Sequence, residues 1–430
     1  MPFAPVNEDG AVLYFEDSGP PPTHNGVYTT VILIHGTSWN GGVFRKVLPF
    51  GPEQNLRIIT LNQRDYTSST PLSTSELAQL TSQSPRERLQ YLKDRAKEIA
   101  KFMLWLVENE KLPPVDGGHS DGGGAQGGVA LVGWSSGNHL ILPLLAFGGE
   151  FLNPEEQSLL GKYLRSYVMF DSPPDIAGIP PPILGDPKTT PGGASNYALL
   201  ADPNIAKLYA SLASSYFTHS STVLNALSTI SHSSQSQSQQ PFQLSDTDTD
   251  TDTGGIGIDG VSDSDILKGF AAGPDTEIPP SITDMPPELT EPIESVKRSQ
   301  IPVVYIGEGI YKYVRQKALF GDTSAGDSGL DIGEGEDGGG NGVWLPRVRT
   351  EVVSCGRSAA ICVWTVWKLY QVIRDRAKDV APQGTPDSSA RTVTSSNTQR
   401  PIHFHLWKDF NHFPHWDQPQ EYVKLLAGVV

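Results

Sequence analysis

The sequence predicts an α/β protein in which helices cover both faces of a mostly parallel central sheet. Two observations support this fold class. Short runs of β-branched and apolar residues, such as 29–34 and 129–134, recur along the chain and end in polar loops. Between such runs lie segments with the helical period, the clearest of which is 85–110. Strands that alternate with helices in this way are typical of a parallel sheet between helical layers.

The first strands belong to the N-terminal part of the chain. Residues 11–16 and 27–34 are expected to form a short strand pair that opens the sheet, and 57–64 is expected to form the next strand. The run 27–34 is followed directly by His35, Gly36 and Thr37. A loop that follows a buried strand in this way can aim a backbone N–H at a developing oxyanion. Thr37 is therefore a candidate oxyanion-hole donor.

Residues 85–110 form a charged segment with helical periodicity. Its apolar positions are Leu89, Leu92, Ala96, Ile99, Phe102, Met103 and Leu106. We expect a surface helix here. The glycine-rich stretch 111–128 that follows contains a G-x-G-x-x-G pattern, but it precedes a strand, whereas dinucleotide-binding loops lead from a strand into a helix. It is interpreted as a connection, and no cofactor is expected.

Residues 129–142 read V-A-L-V-G-W-S-S-G-N-H-L-I-L and carry the strongest functional signal in the chain. A strand-like run ends in G-x-S-x-G and passes directly into an apolar, helix-like segment, which is the context of a nucleophile elbow. Ser135 is the central residue between the two glycines and is the candidate nucleophile. The backbone N–H of Ser136 faces the same space and is the second candidate oxyanion-hole donor.

The candidate general base lies on a loop near the C-terminal end of the sequence. Residues 401–407 are expected to form a strand and 421–430 an amphipathic helix. His412 lies between them, where an imidazole could reach Ser135. A neutral imidazole is well matched to take the proton of an attacking hydroxyl near neutral pH.

Four segments, taken in order, make the chain resemble the α/β-hydrolase family. They are H-G after a buried strand, Q-R-D-Y-x-x-S after the next strand, G-W-S-S-G, and N-H-F-P-H-W-D-Q-P. The resemblance covers residues 10–175 and 345–430 and implies a lid inserted after the sixth strand. Asp65 and Asn411 stand where the family usually or often has glycine. The Ser/Gln- and Asp/Thr-rich insertions resemble those of fungal members of the family.

The resemblance also implies an acidic residue that orients the histidine. Its usual place follows the strand before the last helix–strand pair, but here that strand is 349–355 and Ser358 occupies the place of the acid. Some members carry the acid after the strand that follows the nucleophile helix, where this sequence has Asp171. Asp171 is therefore the preferred candidate, although it also suits a turn cap in a proline-rich loop. Glu308, after an alternative strand at 301–307, is the second candidate.

Both ends of the chain are needed to build one sheet. Residues 1–175 are therefore assigned to the first part of the core and residues 301–430 to the second part. Residues 176–300 are expected to form a lid or insertion region. One domain with insertions accounts for a length of 430 residues, which exceeds the usual range of about 100–200 residues per domain.

The insertions differ in composition. Residues 196–219 have helical spacing, whereas 231–264 is rich in Ser, Gln, Asp and Thr and too polar to bury a core, so we expect disorder there. A single nonapeptide of calcium-binding type at 254–262 cannot stack into a β-roll, which needs neighbouring repeats. Two further segments are expected to be disordered loops, namely 321–342 and 380–400.

The composition restricts the partners. The formal net charge of −16 argues against nucleic acid and anionic membranes. The two cysteines, Cys355 and Cys362, have a spacing that fits neither a disulfide framework nor a zinc knuckle. The first residues lack a basic start and an apolar core, and no run reaches the ~18 apolar residues of a membrane span. We expect a cytoplasmic protein, and the sequence leaves its oligomeric state open.

These features together predict a cofactor-independent serine hydrolase that acts on a small-molecule substrate. Ser135 would attack an ester-like carbonyl and His412 would take its proton, with esters, lactones, thioesters and amides all open as substrates. Trp39, Trp134 and Trp416 favour a hydrophobic acyl or aromatic group. Two alternatives share the same scaffold: a ligand-binding protein with little or no catalysis, and an acyltransferase.

A metal-dependent hydrolase is a further mechanism to weigh, because five potential ligands lie close together in sequence: His403, His405, His412, His415 and Asp417. No ligand motif such as H-E-x-x-H accompanies them, and the G-x-S-x-G turn would then have no purpose. No metal ligand is therefore expected. His403 and His405 are interpreted as a packed or surface pair on a strand. Three other histidines are interpreted as structural or as part of the pocket wall: His35, His139 and His415.

Overall fold

The computed structural model describes residues 2–22, 26–115, 126–182, 203–235, 258–289, 305–322, 342–380 and 400–430. Its sheet consists of β1 (Phe3–Pro5), β2 (Val12–Asp17), β3 (Thr29–Ile34), β4 (Leu56–Leu61), β5 (Val129–Trp134), β6 (Leu164–Phe170), β7 (Arg349–Cys355) and β8 (Ile402–Trp407). The order across the sheet is β1-β2-β4-β3-β5-β6-β7-β8. β2 is antiparallel to both neighbours, whereas β3 to β8 run parallel. This is the α/β-hydrolase fold, which confirms the predicted fold class.

The helices lie on both faces of the sheet. They are α1 (Thr74–Leu80), α2 (Pro85–Glu110), α3 (Asn138–Phe151), α4 (Pro154–Tyr163), α5 (Pro203–Ala213), α6 (Ser221–Gln235), α7 (Asp263–Gly269), α8 (Glu308–Phe320), α9 (Ala360–Val380), α10 (Pro414–Asp417) and α11 (Pro419–Val429). The helix predicted at 85–110 is confirmed as α2. Ser84 caps it by accepting the Glu87 N–H at 3.5 Å, and Pro85 occupies its first turn. In the described part of the chain, no helix combines the length and apolar composition that crossing a bilayer requires.

Alternate residues of each central strand contribute to two different hydrophobic cores, because successive side chains of a strand point to opposite faces. In β3, Ile32 and Ile34 belong to a core shared with α2, α3, α8 and α9. Val31 and Leu33 belong to a second core, shared with the turn Gly41–Phe50 and α11. With both faces covered, the loops at the carboxyl ends of the parallel strands are where a site can form.

The expected pairing of residues 11–16 with 27–34 is wrong. β2 pairs with β4, with Phe15 opposite Leu61, and β3 lies on the far side of β4. All six residues of β3 are buried, and it takes a parallel partner on each side, whereas β2 alternates between buried and partly exposed residues. Such alternation is typical of an antiparallel strand near a sheet edge. The two segments predicted as a strand pair are therefore both neighbours of β4 and not of each other.

The insertion between β6 and β7 contains helices where the sequence led us to expect disorder. α6 continues to Gln235, and the turn Ile258–Gly260 leads into α7, so both ends of 231–264 are structured. Residues 236–257 lie outside the described part of the chain. The hydroxyl of Ser234 accepts the N–H of Phe404 at 2.9 Å and donates to its carbonyl oxygen at 3.3 Å. α6 therefore covers the outer edge of β8.

The loops expected at 321–342 and 380–400 lie almost wholly outside the described residues. Arg400, at the end of the second loop, is buried, and its guanidinium donates to the carbonyl oxygens of Ala318 and Leu345 at 2.7 Å each. Because a buried guanidinium needs such acceptors, Arg400 fixes the start of β8 against α8.

Candidate active site

Ser135 lies at the turn between β5 and α3. Its backbone φ is +54°, in the left-handed region that serine rarely adopts. Two glycines permit this turn. A Cβ on Gly36 would lie 2.8 Å from the Cβ of Ser135, and a Cβ on Gly137 would lie 2.4 Å from the carbonyl oxygen of Ile34. The strand, sharp turn and helix predicted from G-x-S-x-G are therefore present.

Asn138 and Tyr167 support this turn through a chain of hydrogen bonds, and neither residue was predicted from the sequence. The side-chain amide of Asn138 donates to the Ser135 carbonyl oxygen at 2.7 Å, and the Tyr167 hydroxyl donates to Asn138 Oδ1 at 2.7 Å. All three residues are buried. The available signal was Asn138, a polar residue at the first position of a mainly apolar helix.

His412 and Asp171 are in direct contact. Asp171 follows β6, and His412 lies on the loop between β8 and α10. The distance from His412 Nδ1 to Asp171 Oδ2 is 2.5 Å. In a neutral imidazole, a proton on Nδ1 that is donated to the carboxylate leaves the lone pair on Nε2. The pair thus presents the nitrogen that a general base needs.

The loop that contains His412 is attached to the strand that leads to Ser135. Trp134, immediately before Ser135, donates its indole N–H to the His412 carbonyl oxygen at 2.9 Å. The Trp134 and His412 rings also pack together, with 5.0 Å between their centroids. These contacts hold the imidazole loop next to the elbow turn.

Asp171 is 0% exposed and is surrounded by hydrogen-bond donors. The Cys355 N–H donates to Oδ1 at 3.1 Å, and the Ser358 hydroxyl donates to Oδ2 at 2.5 Å. A buried carboxylate needs such donors to remain ionised. Ser358, which follows β7, thus donates to the candidate acid that follows β6.

Glu308, the second candidate acid, is not part of this arrangement. It does not follow a strand, because residues 305–306 are helical, and it begins α8 with an exposed side chain. Its electrostatic neighbours include Asp175 and Arg315. Burial, with a smaller contribution from Glu308, raises the pKa of Asp175 to about 6.

Thr37 and Ser136, the two candidate oxyanion-hole residues, lie side by side. Their hydroxyl oxygens are 2.7 Å apart. β3 and β5 are parallel neighbours, so the residues that follow their carboxyl ends meet. His139 is the second residue of α3, and its Nδ1 lies 2.6 Å from the Ser136 carbonyl oxygen, so the imidazole holds this peptide group in place.

Two histidines near the turn are held neutral. His35 Nδ1 donates to the Gly36 carbonyl oxygen at 2.9 Å, and its Nε2 accepts the Gln63 N–H at 3.1 Å. Burial lowers the pKa of His35 to about 3 and the pKa of His139 to about 4. Both are therefore structural side chains, as the sequence suggested for His35.

The five residues considered as metal ligands are not brought together as one set. His403 and His405 lie on one face of β8 and contact Glu351 at 3.2 and 2.8 Å. Although burial opposes it, these hydrogen bonds lower the pKa of Glu351 to about 2. His415 is buried, which lowers its pKa, and Asp417 instead accepts hydrogen bonds from the insertion.

The insertion between β6 and β7 binds two of the loops around the site. On one loop, the side-chain amide of Asn411 donates to the carbonyl oxygen of Ser214 at 3.0 Å and to the Ser281 hydroxyl at 2.8 Å. On the other, Asn40 donates its backbone N–H to the Leu289 carbonyl oxygen at 3.2 Å. The loops after β3 and β8 are thus both fixed to the insertion.

Comparisons with known proteins add likenesses of fold. No protein-family model and no curated protein match the chain. Similar solved structures include an esterase from Exiguobacterium antarcticum, with 12% identity, a TM-score of 0.41, and coverage of 99% of this chain and 97% of that one. A thermophilic esterase from Thermogutta terrifontis has 11% identity and a TM-score of 0.42 over 100% and 96%. A bromoperoxidase from Bacillus anthracis has 14% identity and a TM-score of 0.37 over 99% and 97%.

Proposed function

We propose that this chain, whose fold is that of the α/β-hydrolases, is a serine hydrolase that cleaves an ester-like bond in a small hydrophobic substrate. Ser135 is the nucleophile, His412 the general base and Asp171 the acid that orients it. The backbone N–H groups of Thr37 and Ser136 form the oxyanion hole. Carboxylic esters are the substrate class that we favour.

The observation that carries this proposal is the 2.5 Å contact between His412 Nδ1 and Asp171 Oδ2. It joins the ends of two strands, at the same edge of the sheet as the left-handed turn of Ser135. A serine at such a turn, with a histidine and a buried acid nearby, is the constellation that activates a hydroxyl.

The reaction follows from these positions. Ser135 Oγ attacks the carbonyl carbon while its proton passes to His412 Nε2, and the imidazolium formed is stabilised by the Asp171 carboxylate. The two backbone N–H groups stabilise the oxyanion. The imidazolium then protonates the leaving alcohol. A water molecule, deprotonated by the same nitrogen, releases the acid and regenerates the serine.

The sequence indicates a hydrophobic acyl or aromatic group, but the aromatic rings around the base belong to the protein core and do not line a pocket, since Trp134 and Phe413 are both 0% exposed. The rings of Trp134 and Phe413 lie 5.0 and 5.4 Å from the His412 ring. Trp39 and Trp416, which the sequence suggested as lining residues, are buried in the second core together with Trp134. They support the site from within the protein.

The test is labelling with a fluorophosphonate probe together with hydrolysis of p-nitrophenyl esters of increasing acyl length. Wild-type protein, Ser135→Ala and Ser136→Ala are compared. We expect labelling and turnover to vanish in Ser135→Ala, and labelling to persist in Ser136→Ala, which keeps the nucleophile and its neighbouring N–H. A folded wild-type protein that is neither labelled nor active would refute the proposal.

A further inference from the structure

A sulfur atom adjoins the His412–Asp171 pair. We propose that Asp171, Cys362 and His412 form a binding site for a thiophilic divalent cation such as zinc or cadmium, and that occupation of this site stops catalysis. The inhibition, unlike the binding, rests on the proposed function.

The three side chains converge from three parts of the fold. Asp171 follows β6, Cys362 lies in the first turn of α9, and His412 lies after β8. Their potential ligand atoms all lie within 4.8 Å of one another. Cys362 Sγ is 4.0 Å from His412 Nδ1, and that nitrogen is 2.5 Å from Asp171 Oδ2.

These distances are close to those of a tetrahedral site. With metal–ligand bonds of about 2.0–2.3 Å, neighbouring ligand atoms lie roughly 3.3–3.6 Å apart. Cys362 Sγ, now 4.0 Å from His412 Nδ1, must approach it by about 0.4–0.7 Å, and Asp171 Oδ2, now 2.5 Å from that nitrogen, must move away from it by about 0.8–1.1 Å. The hydroxyl oxygen of Ser358, already bound to Asp171, adjoins the cluster and is available as a fourth ligand.

The donor set selects the class of ion. A thiolate, an imidazole and a carboxylate are ligands of zinc, whereas magnesium and calcium prefer oxygen atoms alone. Cys362 and His412 are 4% and 5% exposed, and Asp171 is 0% exposed. Burial raises the pKa of the Cys362 thiol, so the thiolate forms together with the bound cation, whose attraction to its anionic ligands is strong in such a poorly solvated cluster.

Occupation of the site removes the base by moving one proton. In the free enzyme, the neutral imidazole of His412 carries its proton on Nδ1, which donates to Asp171. A cation bound to Nδ1 forces that proton onto Nε2, where the proton of Ser135 would otherwise be received. The Cys362 thiol gives its proton to solvent as the metal–sulfur bond forms, so one proton is released for each ion bound.

Cys355 provides a matched control. The chain contains two cysteines, and both are buried. The backbone N–H of Cys355 contacts Asp171, but its sulfur is not among the converging ligand atoms. Substitution of either cysteine by alanine removes one buried thiol, and only Cys362→Ala removes a ligand.

The experiment titrates zinc or cadmium into the metal-stripped, full-length protein and its two alanine variants. Three quantities are measured: the ultraviolet charge-transfer absorption of the cadmium–thiolate bond, the protons released by calorimetry in buffers of different ionisation enthalpy, and ester hydrolysis relative to each variant's own metal-free rate. We expect wild type and Cys355→Ala to show the absorption, one released proton and an inhibition that a chelator reverses. In Cys362→Ala we expect no absorption and an inhibitory concentration at least ~10-fold higher.

Equal absorption or equal inhibition in the two variants would overturn the proposal. If Cys362→Ala does not fold, the comparison moves to the wild-type protein, where inhibition by magnesium at the same concentration as zinc would overturn it. Absence of ester hydrolysis in the metal-free protein would instead contradict the proposed function. The absorption and proton release would still decide whether the cation site exists.

Discussion

Lowering the pH from about 7 to about 5 is expected to reduce the free energy of unfolding, because buried histidines, among them His35, His139 and His415, stay neutral in the folded chain. Burial lowers the pKa of His35 to about 3 and that of His139 to about 4, against 6.5 in the unfolded chain. Between these values the unfolded chain binds more protons than the folded chain. Stability is therefore complete above pH 6.5 and falls as the pH drops through that value.

The magnitude follows from proton linkage. Each histidine contributes about 1.4 kcal/mol per pH unit below 6.5, hence about 2 kcal/mol at pH 5 and about 4 kcal/mol for His35 and His139 together. Asp175 acts in the opposite direction, because its pKa of about 6 in the folded chain lies above the unfolded value of 3.8. Its protonation increases the free energy of unfolding by about 1.4 kcal/mol at pH 5. From His35, His139 and Asp175 the net loss is roughly 2.5 kcal/mol, a substantial share of the 5–15 kcal/mol typical of a folded protein. His415 and His219, whose pKa values burial also lowers, add to this loss.

Urea unfolding at several pH values measures this loss, with the slope against urea concentration showing whether the same surface is exposed throughout. His139→Gln should reduce the loss by about 2 kcal/mol, since the variant has one fewer group to protonate on unfolding. His232→Gln, at an exposed histidine, is the control and should leave the loss unchanged. A stability that is constant or rises from pH 7 to pH 5, or an identical loss in both variants, would refute the reasoning.

Three further substitutions test the site. Ser358→Ala removes a donor to Asp171 and should lower kcat about tenfold; an unchanged kcat would show that the remaining donors suffice. Asn411→Asp removes the amide group that donates to two residues of the insertion, but it keeps the side-chain oxygen that accepts the Phe413 N–H. We expect a lower kcat with a nearly unchanged KM in steady-state assays, and an effect on KM alone would count against a positioning role. Gly137→Ala places a Cβ 2.4 Å from the Ile34 carbonyl oxygen, so the unfolding free energy should fall by about 1–3 kcal/mol; a variant as stable as wild type in urea would contradict the close packing of the turn.

Local patterns were sufficient for the elements that carry the nucleophile. The run 129–134 and the G-x-S-x-G that follows have a burial pattern and turn chemistry that few other conformations satisfy. The helix at 85–110 was also correctly bounded, because it is long and strongly periodic. The strand at 349–355 has the predicted bounds as well.

The choice of acid could not be made from local patterns. Asp171, Ser358 and Glu308 each follow an apolar run, and only the packing of β6 beside β7 brings Asp171 and Ser358 to the same place. The apolar run before Glu308 was read as a strand, but its described end is helical and leads into α8. Short apolar runs suit either a buried strand or a buried helix, so tertiary contacts decide between them.

The high content of polar residues in 231–264 also led to a wrong prediction for part of the insertion. Residues 231–235 are serine-rich, yet they end an amphipathic helix, because Ser234 pairs with the backbone of Phe404. Ser234 takes the place of a neighbouring strand for β8, and this role can be recognised only when β8 is known to lie at the edge of the sheet.

The hydrogen bond between the Trp134 indole and the His412 carbonyl oxygen joins residues that are 278 positions apart in sequence. Loop closure over so many residues adds little to the equilibrium entropy cost, since each doubling of length adds only about 0.6 kcal/mol. It does delay assembly, because contacts of large sequence separation form slowly. This contact, and with it the proposed pairing of Ser135 with His412, can form only after the loop that follows β8 has packed against β5. Recovery of the proposed hydrolase activity during refolding is therefore expected to report the packing of this loop.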